Sequence, residues 1–271
     1  MTDLLILEQH AVYDECNLVS KYFLLPKEEP KLMLAQNGGA ETKVVGATTL
    51  SKETGGTSTD EQLYNRIVIL EKKILPKGPT PGPNMSDSVA SVFRDVCKLG
   101  CYSATFKWVP SEYYSWELGR RAETLGAERI GQLTKAMLME NTRHKGESTR
   151  TNSKFYLVVV QYVATIDAKK LAEAVRALPP VSSRLNPTDF QFKVASEEDN
   201  DRLTGFKHNS VSPFGLKEDI PIVLSKAVKE EGVNFMWMGG GDVDLKLGMG
   251  VEEFVRSKAA FVLDVSDKRI M

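Results

Sequence analysis

The chain has 271 residues, 42% of them hydrophobic and 26% charged, which is ordinary globular composition for one or two domains. Thirty-five basic side chains stand against 36 acidic ones, a net charge of −1 that excludes a general polyanion binder of the histone type. No apolar run approaches the roughly 18 residues needed to cross a bilayer, and three cysteines (Cys16, Cys97, Cys101) exclude a disulfide framework.

Met1–Leu7 is largely apolar but carries Asp3 and no basic flank, so a secretory leader is not expected and the cytoplasm is the expected location. Residues 1–35 hold two apolar stretches, Leu4–Leu7 and Tyr22–Leu25, and read as an N-terminal extension too short for its own core. Residues 36–57 are rich in Gly, Thr and Ser without a period and read as a flexible linker. A helix is then expected over 58–75. Ser58 and Glu61 stand at capping-box spacing, and Leu63, Ile67, Leu70 and Ile74 form a seam of two heptads. Such a helix either packs on its own domain or docks on a partner, and the linkers on both sides favour docking. Residues 76–85 (PKGPTPGPNM) read as a second, stiffer linker.

From residue 86 to 271 the pattern is that of a folded domain. Helices are expected at Val89–Leu99, Glu117–Leu125 (stopped by Gly126), Asp167–Leu178 and Gly250–Arg256. Strands are expected at Ser103–Val109, Leu133–Met139, Phe155–Val163, Phe190–Val194, Ile220–Leu224, Phe235–Met238, Asp244–Leu247 and Ala260–Val265. Without a regular βαβ period, the fold class is α/β or α+β with a mixed sheet.

Familiar chemical signals are missing. Gly239-Gly240-Gly241 is followed by Asp242, not by the Lys-Ser/Thr of a phosphate-binding loop, and no Gly-x-Ser-x-Gly elbow is present. Cys97 and Cys101 have no histidine nearby in sequence, so buried thiols are expected and no metal site. Lys135 stands out because it shares a strand face with Leu133 and Met137, and a lysine there needs an anion or must reach past the strand edge to water. Thr204–Gly215 (TGFKHNSVSPFG) strings small and polar residues before an apolar strand, as a substrate loop or a simple turn does.

The ordered set of Glu128–Met139 (ERIGQLTKAMLM), Ser210–Gly215 (SVSPFG), Ile220–Leu224, Met238–Gly241 and Asp244–Leu247 resembles the YbaK family. These are aminoacyl-tRNA deacylases related to the editing insertion of bacterial prolyl-tRNA synthetase. The resemblance covers about residues 100–265 and implies a mixed, partly barrel-like sheet with flanking helices. It implies a trans-editing hydrolase that cleaves the ester of tRNA mischarged with a small amino acid such as Ala, Ser or Cys, without a cofactor or metal. Lys135 matches the family's essential lysine. The pocket is expected from His208, Asn209, Ser210, Ser212, Pro213, Gly240, Gly241, Asp242 and Tyr113. Asn209-Ser210 replaces the family's usual Gly-Gly, and Asn tolerates positive φ better than most residues. A rival reading is a degenerate editing-fold module that recruits partners. Residues 100–271 carry 24 basic and 23 acidic side chains, so tRNA contact is expected only locally, at Arg143, Lys145 and Arg150. The 58–75 seam is expected to dock on an aminoacyl-tRNA synthetase, a scaffold subunit of a multi-synthetase complex, or a second copy of the chain.

Overall fold

Ser86 opens the folded domain by accepting the Val89 N–H with its side chain, and helix α1 (Asp87–Lys98) follows. Its Val89, Val92, Phe93, Val96 and Cys97 form one buried stripe, the i, i+3, i+4 pattern read from the sequence. The computed structural model describes residues 66, 76–79, 86–230 and 232–269. The expected extension 1–35, linker 36–57 and the seam of Leu63, Ile67, Leu70 and Ile74 lie outside the described residues. So do residues 80–85.

The elements after α1 are β1 (Thr105–Trp108), α2 (Leu118–Leu125), β2 (Thr134–Asn141), β3 (Phe155–Gln161), β4 (Ala164–Ile166) and α3 (Ala168–Ala177). They continue with β5 (Phe192–Val194), α4 (Glu197–Thr204), β6 (Ile222–Ser225), α5 (Lys226–Glu230), β7 (Phe235–Gly239) and β8 (Leu245–Gly250). Helix α6 (Val251–Ser257) and strands β9 (Phe261–Leu263) and β10 (Ser266–Lys268) close the chain. Every expected helix and strand from residue 86 onward has its counterpart, with ends shifted by a few residues. Four elements were not expected: α4, α5, β4 and β10.

The strands form a five-stranded mixed sheet in the order β5-β2-β3-β6-β9, a three-stranded sheet β1-β8-β7 and a β4-β10 pair. In the large sheet β3, β6 and β9 run parallel to one another, and β2 is antiparallel to both its neighbours. A single bridge, Leu133 to Trp237, joins the large sheet to the small one. The sheets do not close into a barrel. β3 is buried along nearly its whole length because both its faces are covered, which accounts for its continuous apolar run.

One face, with Leu138, Leu157, Val159 and Leu224, packs against Met236, Met238, Leu247, Met249, Phe214 and helix α1 in the main core. The other, with Met139, Tyr156, Val158 and Val160, packs on Leu171 and Val175 of α3. A third cluster lies beneath α2, where Tyr113, Ala122, Leu125, Leu133 and Trp237 meet. The described residues from 76 to 269 belong to one compact unit.

The segment expected as a linker at 76–85 begins inside the domain. Pro76 and Pro79 are buried, and Gly78 lies so close to the Phe93 ring that a Cβ there would stand 3.1 Å from Cζ. Two prolines pre-set the backbone for this packing at low entropic cost. Among the described residues, no helix is long and apolar enough to cross a membrane.

Candidate functional site

The sheet has a gap at its edge. β5 pairs with β2 only from Met139 to Asn141, and the backbone bridge to β7 lies at Leu133, just before β2, where the Thr134 hydroxyl also donates to the Trp237 carbonyl at 2.9 Å. Between these two covers the edge of β2 is bare. Tyr162 N–H donates to the Leu133 carbonyl and Asn141 N–H to that of Lys154, so odd-numbered residues of β2 bond to β3. Ala195 N–H donates to the Leu138 carbonyl on the opposite side. The alternation of an antiparallel ladder therefore turns the Ala136 N–H and C=O into the gap.

A cleft of about 530 Å³ opens along this edge. Lys135, Ala136 and Met137 line it from β2, and Tyr114 and Tyr162 form an aromatic wall. His208, Asn209 and Val211 reach it from the loop before β6, Gly239 from the end of β7, and Glu197 and Asn200 from α4. The volume lies within the usual range for small-molecule sites.

The loop is shaped by its own backbone. Asn209 adopts φ +65°, the left-handed conformation that a glycine would take at no cost. Lys207 C=O accepts both the backbone N–H and the hydroxyl of Ser210, at 3.1 and 2.8 Å. Tyr114 Oη donates to the Asn209 carbonyl at 2.9 Å and ties the loop to the aromatic wall. The Asn209-Ser210 substitution thus preserves a glycine-type turn while placing an amide side chain at the cleft. Gly239 meets this loop from beneath: a Cβ there would lie 2.2 Å from the Val211 carbonyl oxygen.

Lys135 is half-buried, and no ion pair or hydrogen bond engages its ammonium among the described residues. Burial holds its pKa below the ordinary lysine value, and the Arg269 charge adds to the effect. Burial also pushes the Tyr113, Tyr114 and Tyr162 hydroxyls upward, so these phenols stay neutral at physiological pH. An unneutralised ammonium beside an open strand edge and neutral phenols is suited to an anionic group or to charge that develops on an oxygen.

The residues expected in the pocket divide into two sets. Lys135, His208 and Asn209 line the cleft. Ser210, Ser212 and Pro213 are buried behind it, where Ser212 Oγ accepts the Phe214 N–H at 3.2 Å. Gly240, Gly241 and Asp242 face elsewhere. Gly241, at φ +96°, closes on Ser88 and Val92 of α1, and the Asp242 carboxylate accepts the Asp244 N–H at 2.9 Å. Tyr113 is 2% exposed and belongs to the cluster under α2; its neighbour Tyr114 is the residue at the cleft. Gly239 is the residue of the expected 239–242 turn that reaches the cleft, whereas Tyr162, Glu197 and Asn200 were not expected there.

The basic residues expected to touch tRNA make different local contacts. Lys145 pairs with Asp189 at 2.7 Å, and Arg143 Nη1 donates to the Thr188 carbonyl at 3.4 Å. Arg150 instead donates to the Ala259 carbonyl, stacks over Phe261 and lines a second groove with Lys98, Lys217 and Lys258. Cys97 and Cys101 are buried and form no disulfide, and burial pushes the Cys101 thiol up to about 11. Among the described residues no group of His, Cys, Asp and Glu could hold a metal.

No curated protein matches this chain. A crystal structure of a candidate trans-editing enzyme for prolyl tRNA synthetase is similar at 19% identity and a TM-score of 0.53, over 68% of this chain and 99% of that one. A scaffold protein used for computational epitope grafting is similar at 18% identity and a TM-score of 0.52, over 68% of this chain and 100% of that one. These likenesses establish a shared fold. The sequence profile of the aminoacyl-tRNA editing domain matches residues 120–256, which spans β2, β3, the loop of His208–Val211, β7 and β8. The chain carries Lys135, the 208–211 loop and Gly239 within that span, and it belongs to the aminoacyl-tRNA editing domain family.

Proposed function

We propose that this protein is a trans-acting deacylase that hydrolyses the ester of tRNA mischarged with a small amino acid. The observation that carries the reading is the convergence of Lys135, the His208–Val211 loop and Gly239 on one cleft. In this reaction water adds to the ester carbonyl, the bond from the acyl carbon to the terminal ribose oxygen breaks, and that oxygen leaves with a proton. The Lys135 ammonium suits either the 3′-terminal phosphate or the oxygen that gains charge during attack. The bare Ala136 N–H and C=O suit the main-chain atoms of an aminoacyl group. Tyr114, Tyr162 and Asn209 narrow the cleft beside them, which supports selection by size among Ala, Ser and Cys. The positive φ of Asn209 keeps the loop in a glycine-type turn, and this favours an active site over a degenerate one.

The test is single-turnover deacylation of tRNAs carrying Ala, Ser, Cys and larger residues by the purified full chain. The expected result is hydrolysis of at least one small aminoacyl ester and its loss in Lys135→Ala with the fold retained by circular dichroism. Equal hydrolysis by the folded variant would refute the role of Lys135. No hydrolysis of any ester by the wild type would refute the deacylase reading.

A further inference from the structure

Behind the aromatic wall lies a cation that the proposed reaction does not touch. Lys246 on β8 stands directly opposite Gly239 of β7 and is only 4% exposed. Its Nζ donates to the Val243 carbonyl at 2.5 Å and stands 4.7 Å from the Tyr114 ring centroid and 5.1 Å from that of Tyr113. Arg121 reaches the same tyrosine from α2. Its guanidinium donates to the Tyr114 and Trp116 carbonyls at 2.5 and 2.8 Å, and its Cζ lies 5.4 Å from the Tyr114 ring. The tyrosine that both cations approach is the one whose hydroxyl donates to the Asn209 carbonyl.

We infer that Lys246 is a positioning residue: with Arg121 it clamps the Tyr114 ring, and through the Tyr114 hydroxyl it holds the His208–Val211 loop against the cleft. A cation over an aromatic face is strongest when both are withdrawn from water, as here. The charged and titratable groups that face Lys246 are Asp242 and Asp244 from its own turn, Arg121 from α2, Lys107 across the ladder on β1, and Tyr113, Tyr114 and Tyr162. Burial is the largest influence on its proton affinity, opposed by the two aspartates. The role of Lys246 in turnover rests on the deacylase reading, whereas its role in loop position does not.

Lys246→Met tests the clamp, since methionine fills a similar apolar volume without the charge. Hydrogen exchange is read at the Ser210 amide, whose bond to Lys207 C=O reports the loop turn, and at amides of α3 as a distant control. Faster exchange at Ser210 by about tenfold, with α3 unchanged, is the expected result. Tyr114→Leu should give the same acceleration, and adding Lys246→Met to it should change nothing further. Lys246→Arg should restore the slow rate. Where the wild type deacylates, kcat/KM should fall by about tenfold in Lys246→Met and recover in Lys246→Arg. Unchanged Ser210 exchange, or equal acceleration throughout the domain, would overturn the inference. Faster Ser210 exchange in a protein without wild-type turnover would leave the clamp standing and refute the deacylase reading alone.

Discussion

Gly239 is the residue at which the cleft tolerates least. A Cβ added there would lie 2.2 Å from the Val211 carbonyl oxygen and 3.0 Å from its carbon. Ordinary contacts need well over 3 Å, so in Gly239→Ala the loop must retreat by roughly 1 Å. Overpacking of that kind costs about 1–3 kcal/mol of stability. The retreat moves Asn209 and His208 away from Lys135, and a misplacement of ~1 Å can cost about 100-fold in rate, or roughly 2.7 kcal/mol of transition-state stabilisation. Gly239→Ala should therefore lower kcat/KM about 100-fold and shift the urea midpoint downward. Gly119→Ala in α2 is the matched control. Its Cβ would meet nothing nearer than Glu117 Oε1 at 3.9 Å, and a helical Gly→Ala change adds about 0.5–1 kcal/mol. The assay is single-turnover deacylation beside urea unfolding of both variants. Gly239→Ala with wild-type rate and midpoint would show that the loop does not depend on this close approach.

Asn209→Gly should keep the loop turn, because φ is +65° there, while removing the amide from the cleft. The expected outcome is a wider range of esters hydrolysed, read as kcat/KM for Ala against larger residues; an unchanged ratio would exclude Asn209 as a selector. The seam of Leu63, Ile67, Leu70 and Ile74 should bind a synthetase, a scaffold subunit or a second copy of this chain. Co-purification with synthetase-complex subunits, or self-association in the ultracentrifuge, should be lost in Leu70→Asp, with deacylation of free mischarged tRNA unaltered. Neither form of association in the full chain would count against docking.

Most of the domain was legible because its elements obey local rules. α1 shows its apolar stripe and its serine cap, and β3 shows the unbroken apolar run of a strand covered on both faces. α4 was missed because EEDNDRLT has almost no apolar face; only Leu203 and Thr204 are buried. Its signals were a Ser196 cap and Gly205 in the left-handed conformation, a helix written in its ends alone. That omission also hid Glu197 and Asn200 from the cleft. The three-glycine turn was legible as a turn, but which glycine faces the cleft depends on where Val211 and α1 pass, and no local pattern encodes that. Tyr113 and Tyr114 are adjacent, and only their packing shows which lies in the core and which at the cleft.

Lys246 was the least legible residue and bears on stability as well as position. The alternation of Leu245, Leu247 and Met249 with Lys246, Gly248 and Gly250 reads as one core face and one solvent face, yet Tyr113 and Tyr114 cover the lysine. Burial lowers its pKa from 10.5 to about 8. A lysine whose folded pKa is depressed destabilises the fold in full below that pKa. The penalty fades as pH rises from about 8 towards 10.5, where both states have lost the proton. The difference of about 2.5 units corresponds to roughly 3 kcal/mol. Its contacts with the tyrosine faces and the Val243 carbonyl offset part of that cost. Lys246→Met should accordingly be at least as stable as the wild type at pH 7, since an apolar side chain of similar volume often replaces a buried charge without loss. The wild type should gain on the variant between pH 8 and pH 10. Urea unfolding of both proteins at each pH isolates the effect, because the other lysines and tyrosines cancel in the difference. A variant several kcal/mol less stable at pH 7, with a gap independent of pH, would mean that the lysine serves the fold and not the loop.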